Sequence, residues 1–285
     1  MRCSGLTRTI ANVTDPVVDH YAGSDDLTSS IAAALDAAGI EREGMTTAVL
    51  PPVDEFHIRG RAATVEIIEA LKVDASSRVL DIGSGLGGPA RTIAEVADAH
   101  VTGVDLTPAF AATASDLSVW TGLSSRTTFL VGDATALEFP DGHFDAALTV
   151  HVGMNVADKA AMYREAHRVL KPRGRFVVYD VLQGEGGEVN YPVPWARSSS
   201  TSFLATRAEM TEFLRGAGFA VLDAIDSSAE SLAWFEAMAA RLAASGPPPV
   251  TFAAFLGGDF REMARNQVTN LRDHRIETVT FVCEA

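Results

Sequence analysis

Residues 78–91 read RVLDIGSGLGGPAR. A short apolar run, interrupted by Asp81, breaks into glycines at 83, 85, 87 and 88 and continues into PARTIAEVADA, whose apolar residues recur at helical spacing. A buried strand that turns through glycines into a helix presents free backbone N–H groups to a ligand. Gly83, Gly85 and Gly88 satisfy a GxGxxG spacing, in which the missing side chains let backbone and ligand approach closely. That spacing alone serves several nucleotide ligands, so its surroundings have to discriminate.

Downstream the chain alternates. HVTGVDL predicts a strand, TPAFAATASDLSVWTGL a helix ending near Gly122, TTFLVGDA a strand and DAALTVHV a strand after the turn FPDGHF. KAAMYREAHRVL predicts a helix closed by KPRG, and RFVVYDVL a strand. Strands alternating with helices predict an α/β fold, a doubly wound parallel sheet covered by helices on both faces, and the right-handed crossover rule leaves few topologies. QGEGGEVNYPVPWARSSS (183–200) reads as a long loop, and loops of this length in compact domains are usually functional or disordered. A helix over 207–215, the strand FAVLDAID and an insert before the last strand, about 227–276, follow. The insert holds helices near 229–244 and 253–272 separated by GPPP, and ETVTFVCEA ends the chain as a strand.

Upstream, SSIAAALDAAGI (29–40) predicts a short helix, and FHIRGRAATVEIIEALKV predicts an amphipathic helix from about Asp54 to Leu71. The expected organisation is a helical N-terminal cap over 1–53 and a main domain over 54–285, with the insert contributing to the acceptor site.

The formal net charge is −14. Such a surface repels phosphate backbones and anionic lipid, which argues against nucleic acid and membrane as partners. No stretch approaches the roughly 20 apolar residues that span a bilayer, and the N-terminus has no apolar leader core. The two cysteines, Cys3 and Cys283, read as thiols in a reducing compartment. A cytoplasmic protein is expected, and a homo-oligomer is left open.

Three carboxylates identify the ligand class. Asp81 sits two residues before the first glycine, where it would repel a pyrophosphate and favour a cationic amino acid or sulfonium group. Asp105 ends VTGVDL, placed for two ribose hydroxyls. Asp133 ends VGDA, placed for an adenine amino group. Acids at three successive strand ends on one sheet edge describe a pocket for a positively charged adenosyl ligand. S-adenosylmethionine fits this pattern and NAD fits it poorly.

At this point the chain resembles the class I S-adenosylmethionine-dependent methyltransferases, in the small-molecule branch that includes ubiquinone/menaquinone-type, tocopherol and sarcosine/dimethylglycine enzymes. VLDIGSGLGG resembles the first motif of that family, VTGVDL the acidic second, VGDATALEFPDGHFD the third and fourth, and RVLKPRGRFVVYD the strand after them. The resemblance spans about Asp54 to Ile225. It implies a Rossmann-like sheet of seven strands whose last is antiparallel. It also implies Gly83 and Gly85 beneath the methionine part, Asp105 on the ribose, Asp133 and Ala134 on the adenine, and His151 facing the methyl group or the methionine amine. Ser84 and Leu106, adjoining these positions, complete the expected cofactor set. Many relatives carry glycine where this chain has Arg173.

Methyl transfer from a sulfonium needs alignment and desolvation, with a general base only for an acceptor that holds its proton tightly. No HxxxH or CxxC is present, so no metal is expected. His151, at the end of the fourth strand, is the candidate base, or else shapes the cofactor pocket. Tyr21 resembles an N-terminal tyrosine that folds over the active site in relatives. Arg59 or Arg61 is the candidate partner of the methionine carboxylate. Asn155 reads as a helix cap and His57 as a packing residue. Trp195, in a proline-flanked loop leaving the catalytic edge, leads a set of aromatics for the acceptor side, with Tyr191, Phe203, Trp234 and Phe235. Oxygen, nitrogen and carbon acceptors all remain open, a natural-product intermediate among them. The competing readings are a nicotinamide-dependent oxidoreductase, which lacks a hydride-site signature here, and a non-catalytic cofactor-binding protein.

Overall fold

The computed structural model describes residues 27–252 and 259–285. Tyr21 and Cys3 lie outside the described residues. The chain forms helices α1 (Leu27–Ala37), α2 (Pro51–Asp54) and α3 (Arg61–Leu71), then β1 (Arg78–Ile82), α4 (Gly88–Ala97), β2 (His100–Asp105), α5 (Pro108–Trp120), β3 (Thr127–Val131) and β4 (Phe144–Val150). It continues through α6 (Lys159–Val169), β5 (Leu170–Gln183), α7 (Arg207–Gly216), β6 (Ala220–Asp226), α8 (Ser228–Ser245), α9 (Phe260–Arg272) and β7 (Ile276–Glu284). The seven strands form one sheet in the order β3-β2-β1-β4-β5-β7-β6. β7, the strand that ETVTFVCEA predicts, is inserted antiparallel between β5 and β6, the direction that the family resemblance implies.

Alternation along the strands divides the core into two layers. On one face Leu80 and Ile82 join Phe176 and Val178 under α6 and α7. On the other, Val79, Leu148, Val150 and Tyr179 pack against α3 and α4. Strand order reverses between β1 and β4. The carboxyl ends of the strands flanking that point open a crevice, the usual ligand position in such sheets. α7 starts with a capping box, in which Thr206 Oγ1 accepts from the Glu209 N–H at 3.3 Å and the Thr206 N–H donates to Glu209 Oε2 at 2.8 Å.

Three segments differ from their sequence expectation. The helix expected from Asp54 is two helices. α2 ends at Asp54, residues 55–60 turn with Arg59 at φ 69° and Gly60 at φ 48°, and α3 starts at Arg61. The left-handed backbone at 59 and 60 cannot continue a helix, so apolar spacing joined two elements across a break. The domain boundary expected after residue 53 therefore falls inside α2, and α1 packs onto α5 in one cluster with Leu86 of the glycine turn. β5 begins at Leu170, paired with Phe144, and the next ladder pair is Ala146 with Arg175. β4 advances two residues there while β5 advances five, so KPRG loops out.

Arg91, on α4, ties the cap to this frame. It is fully buried, and Nη2 donates to Asp54 Oδ2 at 2.7 Å while Nη1 donates to the Ala114 carbonyl at 3.0 Å. Nη2 also reaches the Leu86 carbonyl. Burial pushes Asp54 up to about 6 against the opposing pull of Arg91.

Arg91→Met leaves Asp54 buried without its partner, and urea unfolding is expected to show a loss of about 3–5 kcal/mol. Unchanged stability would remove the pair as a fastener of the cap. Arg173 occupies φ 65° in the KPRG excursion, a conformation that costs a side chain and not glycine. Arg173→Gly is expected to raise stability by about 0.5–1 kcal/mol, read as a higher Tm.

Candidate active site

The crevice at the switch point encloses about 480 Å³, within the usual size of small-molecule sites. Its floor is the turn between β1 and α4. Gly83, Gly85 and Gly87 have φ of 76°, 52° and 78°. A Cβ on Gly83 would lie 2.3 Å from a Val152 methyl, whereas a Cβ on Gly85 would meet nothing within 4 Å. The turn is thus pressed against the β4 loop at Gly83 and open at Gly85. Asp81, Gly83, Ser84, Gly85, Asp105, Leu106, Asp133, Ala134 and His151, all expected cofactor residues, line this crevice together.

The three acids differ in state. Asp81 is 1 % exposed, and its Oδ2 has no hydrogen-bond partner. Burial, reinforced by the charges of Glu55 and Asp105, pushes its pKa up to about 8. Asp105 accepts from the Gly85 N–H and the Thr107 N–H, both at 2.8 Å, which locks β2's end to the glycine turn; burial still raises its pKa. Asp133 accepts from the Thr135 N–H at 2.8 Å and its hydroxyl at 2.7 Å. Leu106 stays 40 % exposed at the rim, an apolar edge beside the carboxylates. Ser84 lines the crevice too, but its Oγ is turned against Gly103 of β2, beside Phe129. An unsatisfied polar atom such as Asp81 Oδ2 on a concave wall marks where a ligand supplies the missing bond. The residues therefore fit an adenosyl ligand with an ammonium group. Asp81 would meet the ammonium, Asp105 the ribose and Asp133 the adenine, with the start of α4 near any carboxylate.

His151 follows β4 at φ 54°, and its N–H donates to the Tyr179 carbonyl at 2.8 Å. A non-glycine residue in this region is strained, and such strain gathers at functional positions. Its ring lies 4.9 Å from that of Tyr179 and 6.0 Å from that of His57, centroid to centroid. Nε2 has no hydrogen-bond partner. Burial, with a smaller contribution from His57, holds its pKa well below the usual imidazole value, so the ring is neutral. His57 also lines the crevice, and burial lowers it to about 4. Its Nε2 lies 2.9 Å from the Gly60 carbonyl and 3.2 Å from Thr64 Oγ1. Behind it Glu55, 1 % exposed, accepts from Thr64 and Thr92 hydroxyls at 2.7 and 2.9 Å.

Several expected residues do not reach the crevice. Trp195 is 1 % exposed, with its Nε1–H donated to Ser202 Oγ at 2.9 Å. It packs with Ile58, Met154, Phe235 and Leu271. The large apolar area of an indole favours such burial, so Trp195 is a core anchor of the 183–206 loop and not a catalytic lining residue. Phe235 and Trp234 join the same cluster, and none of the described insert residues lines the crevice. Arg59 pairs with Glu66, and Arg61 with Glu95 and Thr47, and neither lines the crevice. Asn155 does not cap α6. Asp158 does, accepting from the Ala161 N–H at 2.8 Å. Asn155 lines the crevice and donates to the Trp195 and Thr201 carbonyls at 2.8 and 3.0 Å.

Phe203 does line the crevice, as expected of an acceptor-side aromatic. Phe56, Phe110 and Thr201 line it without having been anticipated. Glycine at 60 beside Arg59 was the available signal that Phe56 and His57 lie in a turn. The rest required the fold.

Comparison with known proteins agrees with this geometry. A family model for a methyltransferase domain matches residues 80–178. The sterol 24-C-methyltransferase erg-4 of Neurospora crassa is 41 % identical over 105 residues, 37 % of this chain and 28 % of that protein. The 2-methyl-6-phytyl-1,4-hydroquinone methyltransferase of Synechocystis sp. is 40 % identical over 146 residues, 49 % of this chain and 44 % of that protein. The chain thus spans less than half the length of these two relatives. Among solved structures, that of the [4+2]-cyclase SpnF superposes with a TM-score of 0.65 at 26 % identity, covering 91 % of this chain and 93 % of that one. The family match, the strand order with its antiparallel β7 and the acid-lined glycine turn converge on one assignment: residues 80–178 carry a methyltransferase domain, set in a sheet of the class I S-adenosylmethionine-dependent type.

Proposed function

We propose that the protein transfers a methyl group from S-adenosylmethionine to a small-molecule acceptor by in-line displacement, without a metal ion. The observation that carries this reading is Asp81, a buried carboxyl with an unpartnered oxygen on the crevice floor. That atom is costly to bury unless a cationic ligand completes it. The bound cofactor supplies a methyl group already activated on a sulfonium sulfur. The chain's own part is to hold the acceptor in line and keep water out. His151, neutral and with Nε2 free, is suited to take a proton from an acceptor hydroxyl or amine. Relatives named for sterol and prenylated-hydroquinone substrates support a ring-bearing, largely apolar acceptor, and natural-product intermediates of that kind fit.

A nicotinamide oxidoreductase is disfavoured because Asp81 stands where a pyrophosphate would lie. A second reading, ring closure without net transfer, is favoured by the near full-length likeness to a protein named as a cyclase. Product mass separates the two: transfer adds CH2 and releases S-adenosylhomocysteine, whereas cyclisation leaves mass unchanged.

S-adenosylhomocysteine is expected to raise Tm and NADH is not; the reverse would sink the proposal. Asp105→Ala is expected to weaken cofactor binding by about 1–3 kcal/mol, and unchanged affinity would remove it from the site. His151→Ala is expected to lower turnover by about 10²–10⁴-fold with cofactor affinity retained; loss of affinity instead would assign it to the binding wall.

The pH dependence follows from Asp81. With its folded pKa raised from 3.8 to about 8, Asp81 favours the ligand-free fold below pH 4 and loses that contribution as pH rises toward 8. An ammonium beside it favours the ionised form, so binding below pH 8 expels a proton. Calorimetry in buffers of different ionisation enthalpy is expected to show that release, with affinity rising from pH 6 to 8. Asp81→Asn is expected to abolish both; release that persists in this variant would remove Asp81 as the source.

A further inference from the structure

We propose that the acceptor is uncharged and hydrophobic, and that molecules presenting phosphate, diphosphate or carboxylate groups are disfavoured because the crevice offers them no cationic partner. This rests on the methyltransferase reading above and adds to it the charge of the second substrate. Five aspartates line the crevice, at positions 54, 81, 105, 133 and 158, and among the described residues no lysine or arginine does. Asp54 is already paired with Arg91, and Asp81, Asp105 and Asp133 are taken up by the cofactor in that reading, so an anion entering this partly water-shielded space finds no counter-charge to offset its desolvation.

Among the described residues, the neighbouring cations are committed elsewhere. Arg91 lies beneath the glycine turn on Asp54 and backbone carbonyls. Arg59 and Arg61 are paired with Glu66 and Glu95 and do not line the crevice. Lys159, the closest in sequence to the lining residues 155–158, points its Nζ to the Val156 carbonyl at 2.9 Å and to the Phe203 carbonyl. Burial lowers its pKa, so it is held by the loop it supports and is not presented to a ligand. Arg197 pairs with Asp259.

Two further routes to an anion are also poorly supplied. Residues 253–258 read AAFLGG and carry no charge, while residues 1–26 hold Arg2 and Arg8 against Asp15, Asp19, Asp25 and Asp26. Among the described residues no three histidine, cysteine or carboxylate side chains converge as metal donors, so the aspartates do not form a ready cation bridge to a phosphate. What remains for the acceptor is apolar and hydroxylic: Phe56, Phe110, Val156 and Phe203, with Thr201 and the neutral ring of His57. Such a wall suits an alcohol, phenol or hydrocarbon skeleton.

The test uses the full chain saturated with S-adenosylhomocysteine and matched probes sharing one skeleton: geraniol with geranyl diphosphate, and a prenylated hydroquinone with its monophosphate ester. Calorimetric titration is expected to show the neutral member of a pair binding at least tenfold more tightly, and Phe203→Arg, a cation placed at the 37 % exposed rim residue, to narrow that ratio while S-adenosylhomocysteine affinity is kept. A phosphorylated member that binds as tightly as its neutral partner overturns the inference. So does failure of every neutral member to bind. If S-adenosylhomocysteine itself does not bind, the methyltransferase reading falls first, and the two failures are distinguished.

Discussion

Everything in the site depends on how closely three segments approach at the β1–α4 turn. A Cβ on Gly83 would strike Val152 of the β4 loop, and one on Gly88 would lie 2.3 Å from the Asp54 carbonyl of α2. Only backbone fits between the cap, the turn and the loop that carries His151. The glycines therefore serve two ends. They open the floor at Gly85 to a ligand, and they let α2 and the β4 loop close down on either side. Arg91 then secures the arrangement from beneath, because its planar guanidinium can bond Asp54, Leu86 and Ala114 at once.

That closeness sets the electrostatics. Burying Asp54, Glu55 and Asp81 near one another raises the pKa of each, and the same burial keeps His57 and His151 neutral. The ligand-free crevice thus holds a proton on Asp81 and none on its imidazoles. A cationic cofactor reverses the first condition without disturbing the second. In the proposed transfer, one dry environment would thus serve both Asp81 as the seat of a cationic cofactor and His151 as a neutral imidazole with Nε2 unpartnered.

The loop after β5 takes part indirectly. Trp195 is sunk in the apolar cluster formed with Ile58, Met154 and Phe235, and its carbonyl accepts from Asn155. Through that bond the buried indole holds the crevice wall at Asn155 and the Thr201 segment. The insert helix α8 contributes Phe235 to the same cluster and so braces the acceptor side from behind.

The strand-helix alternation, the sheet's parallel core and the acids at Asp81, Asp105 and Asp133 were legible in the chain itself. Hydrophobic periodicity and the carboxyl-edge rule act locally, within one strand and the turn after it. The destinations of Trp195, Arg59 and Asn155 were not legible, nor was the exposure of His57 to the crevice. Each is decided by a partner distant in sequence or by a backbone break: Trp195 by Leu271 and Phe235, Asn155 by Thr201, His57 by the left-handed turn at Arg59 and Gly60. Residue type and spacing determine which elements form and which strand ends carry charge. Whether a side chain faces a ligand or a neighbour depends on which distant surfaces compete to bury it, and only the assembled tertiary structure brings those surfaces together.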